Sequence, residues 1–166
     1  MSVAHAIIAL VTLERLAELL YGRRNTKRLL AQGAAEHGAG HYSLFILLHA
    51  GWLLTTWLSV RPNLPIAWPL IGVYALLMIG RGWVIGSLGR FWTTRIVTLP
   101  AAPLVTRGPY RFLRHPNYLI VAGEIAILPL AFGAWRIAVL FSLLNLALVC
   151  HRIRVEDAAL APRRSH

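Results

Sequence analysis

The amino-acid sequence predicts an all-α integral membrane protein of about five transmembrane helices, folded as a single domain over residues 1–166. Three observations lead there. The chain is 57% hydrophobic with only 14% charged residues and a mean hydropathy of +0.60, too apolar for an ordinary soluble domain of its length. Its apolar residues gather into five runs, most of them close to the roughly twenty residues that cross a hydrocarbon core. Its basic residues fall in alternate connections between those runs, the pattern that orients a spanning chain.

The first run extends from Val3 to Leu20 and carries Glu14, Arg15 and Glu18. It lacks a basic leading region and a small-residue cleavage site, so it is expected to be retained and not removed as a leader. The second runs from Tyr42 to Val60 and the third from Leu64 to Leu88. The fourth, Tyr118 to Phe132, and the fifth, Trp135 to Cys150, are short, and the Gly133-Ala134 break between them reads as the tight turn of a helical hairpin. The six tryptophans lie mostly toward run ends, where indole rings favour the membrane interface. Cys150 is the only cysteine, which excludes an internal disulfide and leaves a packing role.

Most of the 17 basic residues follow the first, third and fifth runs. Arg23, Arg24, Lys27 and Arg28 come after the first; Arg90, Arg95, Arg107, Arg111 and Arg114 lie in the long third connection; Arg152, Arg154, Arg163 and Arg164 follow the fifth. The second and fourth connections carry only Arg61 and Arg136. Five spans with this alternation put the N-terminus outside and the C-terminus in the cytoplasm. Basic tracts between apolar runs meet anionic lipid headgroups, so the formal charge of +11 argues for membrane lipids as partners and against nucleic acid. Oligomeric state is not encoded in any pattern of this kind.

The chemistry concentrates in Thr106-Arg-Gly-Pro-Tyr-Arg-Phe-Leu-Arg-His-Pro-Asn-Tyr118. Pro116 biases His115 toward extended backbone and suits the first turn of the next helix, so His115 stands at a helix start beside free N–H groups. Such a turn favours an anionic group, with Arg111 or Arg114 alongside. A basic loop touching phospholipid would need the arginines but not His115, Asn117 and Tyr118.

Glu124 lies two turns beyond Asn117 on the same helix face. A carboxylate at membrane depth is costly, so it is either functional or paired with Arg15 or Arg81 to tie helices together. Beyond the fifth run, His151-Arg-Ile-Arg-Val-Glu-Asp157 offers Arg152 to Glu156 and Arg154 to Asp157 at helical spacing. Glu14, Glu18 and Tyr21 form a stripe on the first run, as Tyr42 and His49 do on the second; both stripes suit either a cavity lining or ordinary helix contacts. No metal-ligand spacing, GxGxxG or GxSxG is present.

RGPYRFLRHPNYL, a hairpin and then RIRVED together resemble the isoprenylcysteine carboxyl methyltransferase family, over about Leu99 to Leu160. The first half is similar to the short bacterial members, some of which act on lipidic phenols or pyrones. The resemblance implies a membrane enzyme, in bacteria of the inner membrane, that binds S-adenosylmethionine between its C-terminal helices and the preceding loop and methylates an oxygen of a lipophilic or prenylated acceptor. Carried over by motif, Gly108, Tyr110, His115, Tyr118, Glu156 and Asp157 form the cofactor site, with the C-terminal part about 99–160. Asp157 stands where the family commonly has a second glutamate. The catalytic candidates are Glu124 and Arg154, with Arg152 an alternative to the latter. Glu14, Glu18 and His49 are candidates for the acceptor's cavity. A carboxylate acceptor needs no base, whereas a phenol or enol must lose a proton, to Glu124 or His115. Two other classes stay open: an NADPH-dependent sterol-reductase-like enzyme, which shares an HPNY-like turn, and a non-enzymatic lipid-binding protein.

Overall fold

The computed structural model describes residues 2–61, 65–100 and 102–164, the last three as helical backbone. Five α-helices carry the fold: α1 Val3–Ala31, α2 Tyr42–Ser59, α3 Trp68–Leu88, α4 Pro116–Ala131 and α5 Trp135–Arg164. Among the described residues three stretches, Ala39–Ser59, Trp68–Phe91 and Trp135–Ala161, are long and apolar enough to cross a membrane. Of the five expected spans these are the second, third and fifth. The first falls short because α1 carries Glu14, Arg15 and Glu18 within its run, and the fourth because α4 has 16 residues. The third run's expected start, Leu64, lies outside the described residues, and its helix begins at Trp68.

The surface is inverted relative to a water-soluble protein. Leu10, Leu20, Leu58, Leu76 and Ile79 are among the most exposed side chains, whereas Arg15, Arg81 and Glu124 are buried. Lipid as solvent accounts for both, since exposed leucine is then costless and charge is driven into the protein, where it finds partners. The apolar core gathers Ile8 of α1, Trp52 of α2, Tyr74 of α3, Ile125 and Leu128 of α4 and Phe141 of α5. Trp52 Nε1 donates to the Ile125 carbonyl at 3.1 Å, a buried bond between helices.

Two helices exceed their apolar runs. At 1.5 Å per residue the 29 residues of α1 and 30 of α5 each reach about 45 Å, longer than the roughly 30 Å hydrocarbon core. Their charged ends extend past the apolar layer and meet one short antiparallel ribbon, β1 Ala35–His37 with β2 Ile96–Thr98. No strand was expected. The β-branched Ile96-Val97-Thr98 segment is its local cause, and Gly33 and Gly38, both at positive φ, let the chain turn on either side of β1. Arg95 to Glu36 at 2.7 Å and His37 Nε2 to Thr98 Oγ1 at 2.8 Å clamp the ribbon. Asn25 of α1 donates to the carbonyls of Gly89 and Trp92, fixing the loop after α3.

The expected hairpin turn is present, with Gly133 at φ 74° between α4 and α5. His115 is the N-cap of α4 with Pro116 in its first turn, as the motif requires.

Candidate functional site

Two cavities meet at the start of α4. The larger, about 840 Å³, opens between α1 and α2 and is walled by Ile8, Leu16, Phe45, Leu53, Trp57 and Val121. The smaller, about 320 Å³, lies between β2, the chain at 102–106, the His115 turn and the end of α5. Trp92, Thr93, Asn117, Tyr118 and Arg152 line both. A polar seam therefore separates an apolar chamber from a mixed one.

The seam is built by hydrogen bonds between α4 and α5. Arg152 Nε donates to the Tyr118 hydroxyl oxygen at 2.8 Å, and that hydroxyl donates in turn to Glu156 Oε2. A second donor of the same guanidinium reaches the Thr94 carbonyl at 2.8 Å, and its plane lies 5.1 Å from the Phe45 ring. His115 stacks on Tyr118 at 5.6 Å, bonds Asp157 Oδ1 through Nε2 at 3.2 Å and holds Nδ1 3.7 Å from Glu156 Oε2. Asn117 Oδ1 is buried and has no partner among the described residues.

The geometry sorts the sequence candidates. Tyr110, His115, Tyr118 and Glu156 line the smaller cavity, and Asp157 reaches it through His115. Burial, reinforced by the Glu156 carboxylate, pushes the Tyr110 phenol up, so it remains an O–H donor at neutral pH. Gly108 lines neither cavity: it seats the turn on α3, where a Cβ would stand 2.1 Å from Ser87 Oγ, and its φ is 61°. Arg114 lines the smaller cavity, whereas Arg111 lies over Phe112.

Of the two arginines, Arg152 is the one that joins the seam. Arg154 is exposed and makes none of these contacts. Helical phase decides between them, because Arg152 continues the buried stripe Ala138, Phe141, Asn145 and Val149, at the three- and four-residue steps of one helix face. The expected direct pair from Arg152 to Glu156 is replaced by a shared bond through Tyr118. Thr94 went unnoticed in the sequence, and Trp92 stood there only among the interfacial tryptophans; Thr94 contributes through its backbone carbonyl, which no residue type signals.

The larger cavity has a charged floor. Arg15 Nη1 donates to Glu18 at 3.0 Å and Nη2 to Glu124 Oε1 at 3.1 Å; Arg81 Nη2 donates to Glu18 Oε2 at 2.7 Å, Nε to Glu18 Oε1, and Nη1 to Glu124 Oε2 at 3.3 Å. Of the two roles open to Glu124, the geometry shows the pairing, and with both arginines at once. Each of its oxygens accepts from a guanidinium, so a base role would require breaking a buried ion pair. Glu18 and His49 line this cavity; Glu14 stands outside it, 3.7 Å from Arg15. Tyr21 stacks on Trp92 at 5.9 Å, joining the α1 stripe to the seam.

A model of the isoprenylcysteine carboxyl methyltransferase family matches residues 70–162, from the start of α3 almost to the end of α5. The chain belongs to this family. It is thus a membrane methyltransferase, and the matched segment contains Tyr110, His115, Tyr118, Arg152 and Glu156, the polar half of the seam. The α1 and α2 walls of the apolar chamber, with Glu18 and His49, fall before the match. Two relatives extend over both halves. An uncharacterized protein of Bacillus subtilis, YpbQ, is 38% identical over 159 residues, covering 93% of this chain and 94% of its own. An uncharacterized protein of Haemophilus influenzae is 26% identical over 145 residues, 83% of each chain. No solved structure matches.

Proposed function

We propose that this family member transfers a methyl group from S-adenosylmethionine to an oxygen of a lipophilic acceptor, a carboxylate, phenol or enol, at the cytoplasmic face of the membrane. One observation carries the reading: a polar cavity and an apolar cavity meet at Asn117, Tyr118 and Arg152. A polar donor and a greasy acceptor need separate chambers with one point of contact.

The smaller cavity suits the cofactor in size and donor set. Glu156 is an acceptor for ribose hydroxyls or an ammonium, Arg114 is a partner for a carboxylate, and Leu88, Val105 and Leu160 give apolar cover to an aromatic base. The unpartnered Asn117 Oδ1 is the telling atom, because a buried acceptor without a donor is costly. A methyl group on a positive sulfur has electropositive C–H bonds that satisfy such an oxygen. When bound, S-adenosylmethionine supplies that methyl on a sulfonium leaving group.

The chain's own residues then need to position and exclude water, which in-line displacement chiefly demands. Arg152, held by Tyr118 and Thr94, fixes α5 against the seam; His115, Asp157 and Glu156 brace the turn that presents Asn117. Phe45, Leu53, Trp57 and Val121 accept an acyl or prenyl chain from the bilayer side. The alternation of basic connections supports a cytoplasmic seam, where a water-soluble cofactor is available.

Membranes carrying the protein, incubated with methyl-labelled S-adenosylmethionine and extracted with organic solvent, test the proposal. Label in the extract or in a protein band is expected, and its loss in Arg152→Ala. Equal labelling of membranes with and without the protein would refute it.

A further inference from the structure

A third cavity, about 410 Å³, lies away from the seam, between the end of α3 and the chain that leads to the His115 turn. Leu88, Phe91, Leu104 and Val105 give it apolar walls, and Arg90 and Arg107 give it charge. No described residue lining it is acidic. The six acidic side chains of the sequence pair elsewhere, with Arg15, Arg81, Arg95 or His115. Arg107 Nε donates to the Ser87 carbonyl at 3.1 Å, which fixes the root of its guanidinium, and the Arg90 guanidinium lies 4.9 Å from the Phe91 ring. Two oriented cations therefore share an apolar pocket that holds no anion of the chain's own.

The pocket sits where the membrane ends. Leu88 and Phe91 belong to the last turn of the spanning stretch Trp68–Phe91. The chain opposite is held at the same height, because Gly108 packs on Ser87. In the turn that follows, Phe112 is 73% and Leu113 47% exposed, outside any helix. Two adjacent apolar side chains this exposed suit acyl chains better than water. The 16 residues of α4 reach only about 24 Å, short of a hydrocarbon core of about 30 Å, so the start of α4 and the turn before it are drawn into the interface. The alternation of basic connections assigns this side to the cytoplasm, whose leaflet carries anionic headgroups.

We infer that the cavity between Arg90 and Arg107 is a binding site for the phosphate headgroup of an anionic phospholipid, whose acyl chains lie in the bilayer beside the end of α3. Guanidinium forks match a phosphate and bind it most strongly where apolar walls limit water. The site has a consequence for its neighbour. Leu88, Phe91 and residues 103–106 line this cavity on one side and the smaller cavity of the seam on the other. A headgroup that draws Arg107 toward Arg90 holds that shared wall against α3. Lipid and S-adenosylmethionine should then strengthen each other's binding by one common factor. This coupling rests on the proposed methyl transfer, whereas the lipid site does not.

The test titrates the full-length protein, purified in detergent, with phosphatidylglycerol, phosphatidylcholine and inorganic phosphate, and reads bound lipid by native mass spectrometry. One saturable phosphatidylglycerol per chain is expected, with phosphatidylcholine at least about tenfold weaker and excess phosphate shifting the lipid affinity less than about twofold. Arg90→Gln/Arg107→Gln should weaken the lipid about tenfold, and Arg23→Gln/Arg24→Gln, which removes the same charge from the end of α1, less than about twofold. Arg90→Gln alone removes no hydrogen bond within the fold and should weaken the lipid about threefold, which guards against misfolding as the cause. Equal weakening by the two double variants, an unchanged affinity in Arg90→Gln, or equal binding of phosphatidylcholine would overturn the site; displacement by inorganic phosphate would overturn its assignment to lipid. In nanodiscs, phosphatidylglycerol should raise S-adenosylmethionine affinity about three- to tenfold over phosphatidylcholine alone, and Arg90→Gln/Arg107→Gln should abolish that gain. Cofactor binding that ignores the lipid would refute the coupling and leave the site standing. Absence of S-adenosylmethionine binding in every lipid would sink the transfer reading and the coupling together, with the site judged on the lipid titration.

Discussion

Arg152 Nε donates to the Tyr118 hydroxyl oxygen at 2.8 Å, joining α5 to the first turn of α4 across 34 residues of sequence. The hydroxyl passes the bond on to Glu156. One phenol thus holds a cation and an anion that helical spacing alone would have paired directly.

Tyr118→Phe should therefore leave the buried Arg152 and the partly exposed Glu156 each short of a partner, at about 1–3 kcal/mol. Because the loss falls on the smaller cavity, where the cofactor is proposed to bind, titration calorimetry should show S-adenosylmethionine affinity lowered about 10- to 100-fold. A dissociation constant within twofold of wild type would show that the relay is not part of the binding site.

Arg152 and Arg154 should separate cleanly. Arg154→Ala removes an exposed side chain and is expected to change stability by less than about 0.5 kcal/mol with cofactor affinity intact. Arg152→Ala removes the donor to both Tyr118 and Thr94, and Arg152→Lys cannot supply both donors with the same fixed fork. Both Arg152 variants should lose methyl transfer in the labelled-membrane assay while Arg154→Ala keeps it.

Glu124→Gln leaves Glu18 as the one carboxylate that Arg15 and Arg81 share. Breaking a buried ion pair on one side costs about 3–5 kcal/mol, so the denaturation midpoint in detergent should drop well below that of Glu14→Gln, whose carboxylate stands outside the chamber. Equal midpoints for the two variants would contradict the buried network.

Gly108→Ala meets two obstacles, the Ser87 Oγ at 2.1 Å and a φ of 61°. The left-handed conformation alone costs about 1–2 kcal/mol. Adding Ser87→Ala removes the nearest atom but not the backbone strain, so the double variant should recover part of the lost thermal stability. Full recovery would mean the conformational term is absent.

The helices, the hairpin turn and the His115 entry to α4 were all legible, because apolar runs, glycine and proline act locally. Long-range geometry was not. The ribbon between Ala35–His37 and Ile96–Thr98 joins segments some sixty residues apart, and three-residue strands carry no periodicity to read. Glu124 could be marked as a costly charge, yet its pairing with Arg15 and Arg81 together depends on how three helices pack. Arg152 was distinguishable in principle, since it shares a helix face with Asn145 and Val149, but the resemblance of the RIRVED segment fits both arginines.

The orientation of the chain is a further expectation open to direct measurement. Reporter fusions at the two ends should place the N-terminus outside and the C-terminus in the cytoplasm, and replacing Arg23, Arg24, Lys27 and Arg28 by uncharged residues should weaken that preference. Both ends on the same side would require an even number of crossings and leave the seam's access to cytosolic cofactor unexplained.

The most direct measurement of the central claim is calorimetric titration of the purified protein in detergent with S-adenosylmethionine and, separately, with NADPH. The account predicts saturable binding of S-adenosylmethionine that is lost in Arg152→Ala, and no binding of NADPH. Saturable NADPH binding, or S-adenosylmethionine binding that Arg152→Ala leaves unchanged, would contradict it.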